Sequence, residues 1–356
     1  MAISIRLLTE SDHIQANRLY HTVYKKDRKD SFFNWEFVDA PFGSAIYVGA
    51  FDGDKLVGTQ AAIPMQMINA AGELMMMSKS EDTLLDPAYR GQGLFNKMYD
   101  LLFRECERLG IKAIWGFTYA KKPFLNIGFK IPFDSISGVL VINPLNSYRY
   151  LSNLNSLNKT KDKIKIAGLT FISFAKGILG GREKIPEGYS IDEECLEDKA
   201  TLIKQFLSKE NNNWMLNEDR KYCEWRIVNN PYSNNYREIT IKNKEGIICG
   251  NLIYNIRSEG VAYICQMIYD SADYINVLRA MITAAIILIK KDGRTSIIRF
   301  WGFKHTQLHK DEVIALESAG FYFARKGTGF VVKGLTGIDS DTFNIQLSRI
   351  YTQGNI

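Results

Sequence analysis

The sequence lacks most of the patterns that identify a cofactor or a catalytic group directly. Its Gly91-Gln92-Gly93 turn is not followed by the third glycine and later acid of a dinucleotide-binding fold, nor by the Lys-Ser/Thr ending of a P-loop. No Gly-x-Ser-x-Gly pattern marks a nucleophile, and no Cys-x-x-Cys pattern is present. These absences argue against the commonest redox, nucleotide-hydrolysing and serine-hydrolase sites and leave other phosphate ligands open.

Several further absences limit location and partners. The five cysteines are widely spaced, which predicts reduced thiols in a cytoplasmic protein. The chain opens with a predicted strand, Met1–Ile5, rather than with a signal peptide. Its most apolar stretch, 280–289, is too short to span a bilayer, so we expect no membrane span. The net charge of +6 is not concentrated in one long basic run, and we expect no nucleic-acid partner.

A metal site is not expected either. His305 and His309 are four residues apart and could share a helix face. Thr306 stands where a zinc protease of that spacing has a glutamate. We therefore expect a solvated histidine pair and no metal ligands.

The most informative segment reads as a strand, a sharp turn and a helix. The apolar residues 83–85 lead through Pro87 into a basic turn, and an amphipathic pattern follows over 94–109. Gly91 and Gly93 let the backbone bend and approach a ligand closely. The first N–H groups of a helix carry the positive end of its dipole, and Arg90 adds a permanent charge. The segment therefore predicts a phosphate or pyrophosphate site.

This segment resembles the coenzyme A loop of the GNAT acetyltransferase superfamily, whose motif is Arg/Gln-x-x-Gly-x-Gly/Ala. Arg90, Gly93 and Phe95 stand at the marked positions, with Phe95 replacing a small residue. The resemblance covers roughly residues 3–140 and implies acetyl-CoA as co-substrate. It implies that the donor-binding residues are Leu84, Leu85, Arg90, Gly91, Gln92, Gly93, Leu94 and Phe95.

Three landmarks of the first half recur about 190 residues later, in the same order. They are Trp35 with Trp225, Trp115-Gly116-Phe117 with Trp301-Gly302-Phe303, and Gly128-Phe129 with Gly320-Phe321. A long internal duplication explains them best, because the short periods of solenoid repeats are absent. The basic glycine turn occurs only in the first copy. The first half is therefore expected to bind the donor, and the second to shape the acceptor cleft, a homodimer surface, or both.

The predicted fold class is α/β (α+β), with two tandem GNAT-like domains. Each would contain a mixed, mostly antiparallel sheet flanked by helices. The predicted bounds are 1–145 for the acetyltransferase domain, 146–186 for a linker and 187–356 for a degenerate second domain.

The resemblance also implies catalytic residues. Glu81 and Asp82 lie on the strand that leads into the loop and are the candidate general bases, with Asp82 favoured. Successive strand residues face opposite sides, so only one of the two should point into the cleft. Phe124 stands where the family has an acidic tyrosine, which makes Tyr119 the substitute proton donor. The backbone N–H of Leu84 or Leu85 would polarise the thioester carbonyl.

The leading hypothesis is an acetyl-CoA-dependent N-acetyltransferase acting on a small amine acceptor. The family resemblance implies an amino sugar of surface glycans as acceptor, and Phe32 and Phe33 are the expected acceptor-side residues. Two alternatives stay open: an aminoacyl transferase of the peptidoglycan-bridge type, and a non-catalytic acyl-CoA sensor or scaffold.

Overall fold

The computed structural model describes residues 3–154, 160–180, 184–210, 213–232, 236–270, 272–324, 327–339 and 344–352. The chain forms two units whose segments interleave. The first comprises Met1–Phe133, Leu216–Tyr232 and Thr328–Phe343. The second comprises Asp134–Met215, Ser233–Gly327 and Asn344–Ile356.

The described residues form sixteen strands and ten α-helices. The strands are β1 (Ile3–Leu7), β2 (Ile46–Asp52), β3 (Lys55–Asn69), β4 (Leu74–Leu85), β5 (Ala113–Thr118), β6 (Lys130–Asp134), β7 (Ile136–Val141), β8 (Ser190–Asp192), β9 (Asn213–Leu216), β10 (Tyr236–Lys242), β11 (Ile248–Ile256), β12 (Val261–Tyr269), β13 (Ile297–Gly302), β14 (Tyr322–Ala324), β15 (Gly329–Gly334) and β16 (Asn344–Ile345). The helices are α1 (His13–Tyr24), α2 (Asp30–Phe33), α3 (Leu94–Arg108), α4 (Lys121–Asn126), α5 (Pro144–Leu154), α6 (Thr160–Gly180), α7 (Ala200–Leu207), α8 (Arg220–Cys223), α9 (Tyr274–Lys291) and α10 (Gln307–Ser318).

The sheet of the first unit has the strand order β1-β2-β3-β4-β5-β15-β6. The pairs β1–β2, β2–β3, β3–β4 and β5–β15 are antiparallel, while β4 and β5 are parallel. Helix α3 packs on this sheet through Leu94, Met98, Leu102 and Cys106, which are almost completely buried. Their spacing of four residues is the helical period that the sequence predicted.

The sheet of the second unit has the order β14-β7-β13-β12-β11-β10-β8, in which β12 and β13 are parallel. Helix α9 packs on it with ten buried residues between Val277 and Ile289. Two mixed, mostly antiparallel sheets with flanking helices confirm the predicted fold class.

Each sheet contains a strand from the other half of the chain. Strand β15 belongs to the second half of the sequence but pairs with β5, and β7 belongs to the first half but pairs with β13. The predicted bounds 1–145, 146–186 and 187–356 stay a prediction, and the two units cut the chain elsewhere. The expected linker contains most of α5 and all of α6, and its residues 155–159 and 181–183 lie outside the described part.

The repeated landmarks occupy equivalent elements. Trp35 and Trp225 each lie in a short π-helical turn, and the indole N–H of each donates to the carbonyl oxygen of the other, at 2.9 and 2.7 Å. Their rings stack with centroids 4.7 Å apart. Gly128 and Gly320 both end a helix with positive φ, 86° and 96°. This correspondence supports the predicted duplication, in which the recurring residues serve the fold.

His309 is not solvated, and that expectation was wrong. Helix α10 begins at Gln307, so His309 lies in its first turn, fully buried against the ring of Phe303. Its Nε2 lies 3.2 Å from the backbone nitrogen of Leu347. Burial lowers the pKa of His309 to about 3. Among the described residues, no group of three or more His, Cys, Asp or Glu side chains could hold a metal ion.

This burial predicts a pH dependence of stability. His309 stays neutral in the folded protein, whereas the unfolded chain takes up a proton near pH 6.5. Lowering the pH from about 6.5 therefore favours unfolding, by up to about 1.4 kcal/mol per pH unit. We expect His309→Gln to show a smaller loss of unfolding free energy between pH 6.5 and 5 than the wild type in urea titrations. The exposed His21 supplies the control, His21→Gln, and equal slopes in all three proteins would contradict the prediction.

Candidate active site

Strands β4 and β5 separate soon after they pair. Their parallel register joins only Ser78 with Ile114 and Lys79 with Trp115. Beyond these pairs β4 stays bonded to β3, and β5 stays bonded to β15. The gap between residues 80–85 of β4 and 116–118 of β5, here called the slot, leaves backbone groups without a ladder partner. Such groups can bind an extended ligand.

Gly116 lies where the two strands begin to diverge. A Cβ atom added to it would lie 3.2 Å from the carbonyl oxygen of Ser80 and 3.3 Å from the Cβ of Ser80. The absence of a side chain therefore allows β5 to approach β4 closely at the closed end of the slot.

The backbone direction at the open end of the slot distinguishes Leu84 from Leu85. The N–H of Asp86 donates to the carbonyl oxygen of Val57 on β3, at 2.9 Å. Because N–H groups alternate between the two sides of a strand, the N–H of Leu85 faces away from β3, toward the slot. The side chain of Leu84 is completely buried, and that of Leu85 is half-buried.

A bulge interrupts β4 beside the slot. Thr59 pairs with Leu84 and Ala61 with Glu81, so Gln60 alone stands opposite Asp82 and Thr83. Asp82 has a φ of 50°, which is a left-handed conformation uncommon for a residue other than glycine. The hydroxyl of Thr59 donates to the carbonyl oxygen of Asp82 at 3.0 Å. The bulge is therefore held from β3 by side-chain hydrogen bonds.

Asp82 also forms a buried ion pair. Its Oδ2 lies 3.0 Å from Nη1 of Arg28 and accepts a hydrogen bond from the hydroxyl of Tyr47. The side chains of Arg28 and Asp82 are only 3% and 2% exposed. Burial alone would lower the pKa of Arg28, but the attraction of Asp82 more than offsets it and raises that pKa above its ordinary value.

The guanidinium group of Arg28 is surrounded by aromatic rings. Its central carbon lies 4.6 Å from the ring centroid of Tyr20, 5.0 Å from that of Phe33 and 5.3 Å from that of Phe37. Its Nε donates to the side-chain oxygen of Asn17 at 2.8 Å. These contacts fix the cation that holds Asp82.

Glu81 and Asp82 do not alternate as the sequence suggested, and that expectation was wrong. Tyr47 stands opposite Ala61, and Ala61 stands opposite Glu81, so their side chains share one face of the sheet. Asp82 reaches the hydroxyl of Tyr47 and therefore lies on the same face. The left-handed conformation at Asp82 breaks the alternation. Glu81 forms an ion pair with the buried Lys79 and keeps 18% of its side chain exposed.

The predicted donor loop has the required backbone conformation. The carboxylate of Asp86 accepts from the N–H of Ala88 at 3.0 Å and caps a 3-10 turn, Pro87–Tyr89. Gly91 and Gly93 follow with φ values of 81° and 72°. A Cβ on either glycine would meet no atom within 4 Å, so the backbone angle requires glycine there and the space above the loop is open.

The other predicted loop residues divide into an exposed and a buried group. Arg90 and Gln92 are exposed, and helix α3 has no acidic residue in its first turn. Leu94 is 1% exposed, so only its backbone N–H can face a ligand. The ring of Phe95 packs against those of Tyr99 and Phe124, with centroids 4.8 and 5.4 Å away.

The two candidates for a proton donor differ in environment. Phe124 is buried in the aromatic cluster of α3 and α4 and carries no hydroxyl. Tyr119 follows the end of β5 directly and is 76% exposed. The sequence did not reveal Tyr99, whose buried hydroxyl lies 2.7 Å from Oγ of Ser80 beside the slot. Burial raises the pKa of Tyr99, so this phenol stays protonated.

The two predicted acceptor-side aromatics lie apart. Phe33 is buried, stacks on Tyr47 at 5.6 Å and lines a cavity of about 350 Å³ together with Glu10 and His13. Phe32 instead packs on Tyr232, with centroids 4.4 Å apart. Of the pair, Phe33 is the one that also borders Arg28.

The second unit repeats the strand arrangement without the donor loop. Strands β12 and β13 pair over residues 261–264 and 297–300, and β12 continues beyond them to Tyr269. The following turn has Asp270 and Asp273 before α9; Ser271 lies outside the described residues. Two carboxylates at a helix N-terminus repel a phosphate, so this turn is unsuited to the donor.

Part of the chain matches an acetyltransferase family model in sequence, and the chain resembles solved acyltransferases in fold. Residues 4–131 match the profile of an acetyltransferase (GNAT) domain. No curated protein matches the chain in sequence. A conserved protein of unknown function from Enterococcus faecalis V583, a probable N-acyltransferase, superposes with a TM-score of 0.65 at 10% identity, over 94% of this chain and 73% of that one.

Two further structures show the same fold. The GCN5-related N-acetyltransferase from Anabaena variabilis ATCC 29413 has a TM-score of 0.60 at 11% identity, over 93% of this chain and 72% of the other. N-myristoyltransferase from Saccharomyces cerevisiae, crystallised with myristoyl-CoA, has a TM-score of 0.58 at 12% identity, over 97% and 89%.

Residues 4–131 therefore match a GNAT acetyltransferase domain, and the chain shares its fold with N-acetyltransferases and an N-myristoyltransferase. The family uses acetyl-CoA or another acyl-CoA as co-substrate, as the loop predicted. In the described part of the chain, no helix has the length and apolarity needed to cross a membrane.

The buried pair of Arg28 and Asp82 leads to a stability prediction. Removing one partner leaves an uncompensated buried charge, so Arg28→Met or Asp82→Asn should each lower the free energy of unfolding by about 3–5 kcal/mol. Asparagine tolerates the left-handed backbone at position 82. The lower free energy of unfolding in Asp82→Asn therefore comes from the lost charge and not from backbone strain. Urea denaturation measures the effect.

The control breaks an exposed pair, Arg108 with Glu105, whose Nε–Oε2 distance is 2.8 Å. Arg108→Met should cost less than about 1 kcal/mol. The double variant Arg28→Met/Asp82→Asn should lose less than the sum of its two single variants. Additive losses would show that the two side chains do not act as a pair.

Proposed function

We propose that this chain is an acetyl-CoA-dependent N-acetyltransferase that moves an acetyl group to a small amine by direct attack on the thioester. The observation that carries the proposal is the slot between β4 and β5, followed at once by the left-handed turn of Gly91 and Gly93. An amino sugar is the acceptor class we propose, and that choice rests on family resemblance alone.

In this proposal the donor is held at three points. Its pyrophosphate accepts from the backbone N–H groups of residues 91–94, assisted by the charge of Arg90. Its extended arm lies in the slot and satisfies the unpaired backbone groups of β4. The N–H of Leu85 then donates to the thioester carbonyl and stabilises the negative charge that develops there. Fixing the donor in this way lowers the entropic part of the barrier.

Glu81 is the carboxylate that we propose as general base. Asp82 is almost completely buried, and its Oδ2 is already bound by Arg28 and Tyr47, so little of this carboxylate is available to an acceptor. Glu81 pairs with Lys79 but keeps 18% of its side chain exposed, and it lies on the same face. It can take a proton from the ammonium group of the acceptor through a water molecule. Asp82 then contributes by holding the bulge beside the slot.

Tyr119 is the residue that we propose to protonate the departing thiolate. It follows directly after β5, the strand that borders the slot, and its phenol is exposed. Water can protonate a thiolate as well. Loss of Tyr119 should therefore lower the reaction rate less than loss of donor binding does.

The second candidate function is a non-catalytic acyl-CoA sensor. The observation in its favour is Phe124, a residue without a proton to donate, where the family has a tyrosine. This function predicts binding of acetyl-CoA without turnover for a panel of amines. The aminoacyl transferase alternative has less support, since the donor loop has an intact Arg-Gly-x-Gly pattern.

A matched pair of glycines tests donor binding. Gly93 and Gly110 border α3 at its two ends, with φ values of 72° and 74° and open space beside each. Valine at either position should cost about 1–3 kcal/mol of stability through the same backbone strain. Gly93→Val should weaken acetyl-CoA binding at least tenfold in isothermal titration, whereas Gly110→Val should bind like the wild type. Equal affinity of the two variants for acetyl-CoA would show that the loop does not bind the donor.

Steady-state kinetics with an amine that the enzyme accepts test the catalytic roles. Glu81→Gln should lower kcat by about 10²-fold or more, because it removes the base while leaving the KM for acetyl-CoA nearly unchanged. Tyr119→Phe should lower kcat by about tenfold. In both variants the fall should depend on pH, as expected for proton transfer. If Glu81→Gln kept the kcat and the pH profile of the wild type, Glu81 would not be the general base.

A further inference from the structure

Three arginines converge on one tyrosine in the second unit. The guanidinium carbons of Arg349, Arg257 and Arg299 lie 4.0, 5.0 and 5.5 Å from the ring centroid of Tyr263. Tyr263 and Arg299 are direct neighbours on the parallel strands β12 and β13, while Arg257 follows β11 and Arg349 begins a 3-10 turn. Four separate segments therefore meet at this cluster, and three of them contribute an arginine.

Two hydroxyl groups complete the cluster. Nη1 of Arg299 donates to the hydroxyl of Tyr263 at 3.2 Å and to that of Tyr150, on α5, at 3.3 Å. The two hydroxyls lie 3.4 Å apart. Nε of Arg299 is buried and has no hydrogen-bond partner among the described residues. A buried guanidinium N–H without a partner is costly, and an acceptor that enters the cluster would satisfy it.

The three guanidinium groups lie close enough to affect the pKa values of the cluster. Burial alone would raise the pKa of Tyr263, but Arg299, Arg349 and Arg257 more than offset it, and its pKa lies below the ordinary value. Burial lowers the pKa of Arg349, and repulsion by Arg257 and Arg299 lowers it further. The thiol of Cys265, which donates to the carbonyl oxygen of Tyr263 at 3.5 Å, also faces Arg349.

We propose that Arg257, Arg299 and Arg349, with the hydroxyls of Tyr150 and Tyr263, form a binding site for an oxyanion. The ligand group is a phosphate or a carboxylate, because guanidinium groups donate in pairs to both. The tyrosine hydroxyls supply further donors within the same cluster. All five residues are partly or fully buried, so the site would bind the anionic group of a small molecule rather than an extended polyanion. The proposal is independent of acyl transfer.

Isothermal titration with inorganic phosphate and with sodium acetate tests the site in the intact chain, with sodium chloride at equal ionic strength as the reference. The two anions distinguish phosphate from carboxylate as the preferred group. Arg299→Gln should weaken binding of the preferred anion at least tenfold. The matched control is Arg294→Gln, in the same unit, which removes an exposed arginine bound to Asp292 at 2.8 Å and should leave the affinity unchanged.

Phosphate can also bind at the donor loop of the first unit. The test is therefore the difference in anion affinity between the wild type and each variant. Equal affinity in the wild type and in Arg299→Gln would overturn the proposal, as would heats no larger than those of chloride for both anions. If circular dichroism shows that Arg299→Gln is unfolded, Arg257→Gln replaces it with the same expected loss and the same overturning result.

Discussion

The separation of two parallel strands is the constraint on which this structure depends. Strands β4 and β5 share two register pairs and then diverge, so the backbone groups along the facing edge of β4 are left without a partner in the sheet. Leaving such groups unpaired is unfavourable, and a ligand with amide and carbonyl groups can satisfy them. Strands β3 and β15 hold the outer edges of the two diverging strands, which keeps the slot open without a ligand. The donor loop begins where β4 ends.

The bulge on β4 connects stability to the proposed chemistry. Asp82 adopts a strained backbone conformation, and the ion pair with Arg28 opposes that strain from within an aromatic enclosure. The same distortion places Asp82 and Glu81 on one face of the sheet. The carboxylate of Asp82 is buried in the ion pair that stabilises the strand, whereas that of Glu81 stays partly exposed to solvent. Buried charge near a site is costly, and here it fixes the geometry of the strand that the donor would contact.

The sequence predicted the parts of the site that depend on local backbone chemistry. Gly91 and Gly93 could be assigned to the turn because their left-handed conformation favours glycine, and the recurrence of Trp35 and Trp225 indicated the duplication. Arg28 could not be found, since its role depends on a contact with Asp82, 54 positions later in the chain. The same-face arrangement of the two acids was missed because alternation fails at a bulge. The exchange of β7 and β15 between sheets leaves no local pattern, because strand pairing partners are set by tertiary packing.

Hydrogen exchange tests the central claim most directly. Amides of residues 85–94 should exchange more slowly when acetyl-CoA is added to the intact chain, because the N–H groups of Leu85 and of the glycine turn become donors to the ligand. Residues 270–276, at the equivalent turn of the second unit, should be unchanged. Protection of 270–276 with no change over 85–94, or no change in either segment at saturating acetyl-CoA, would contradict the account.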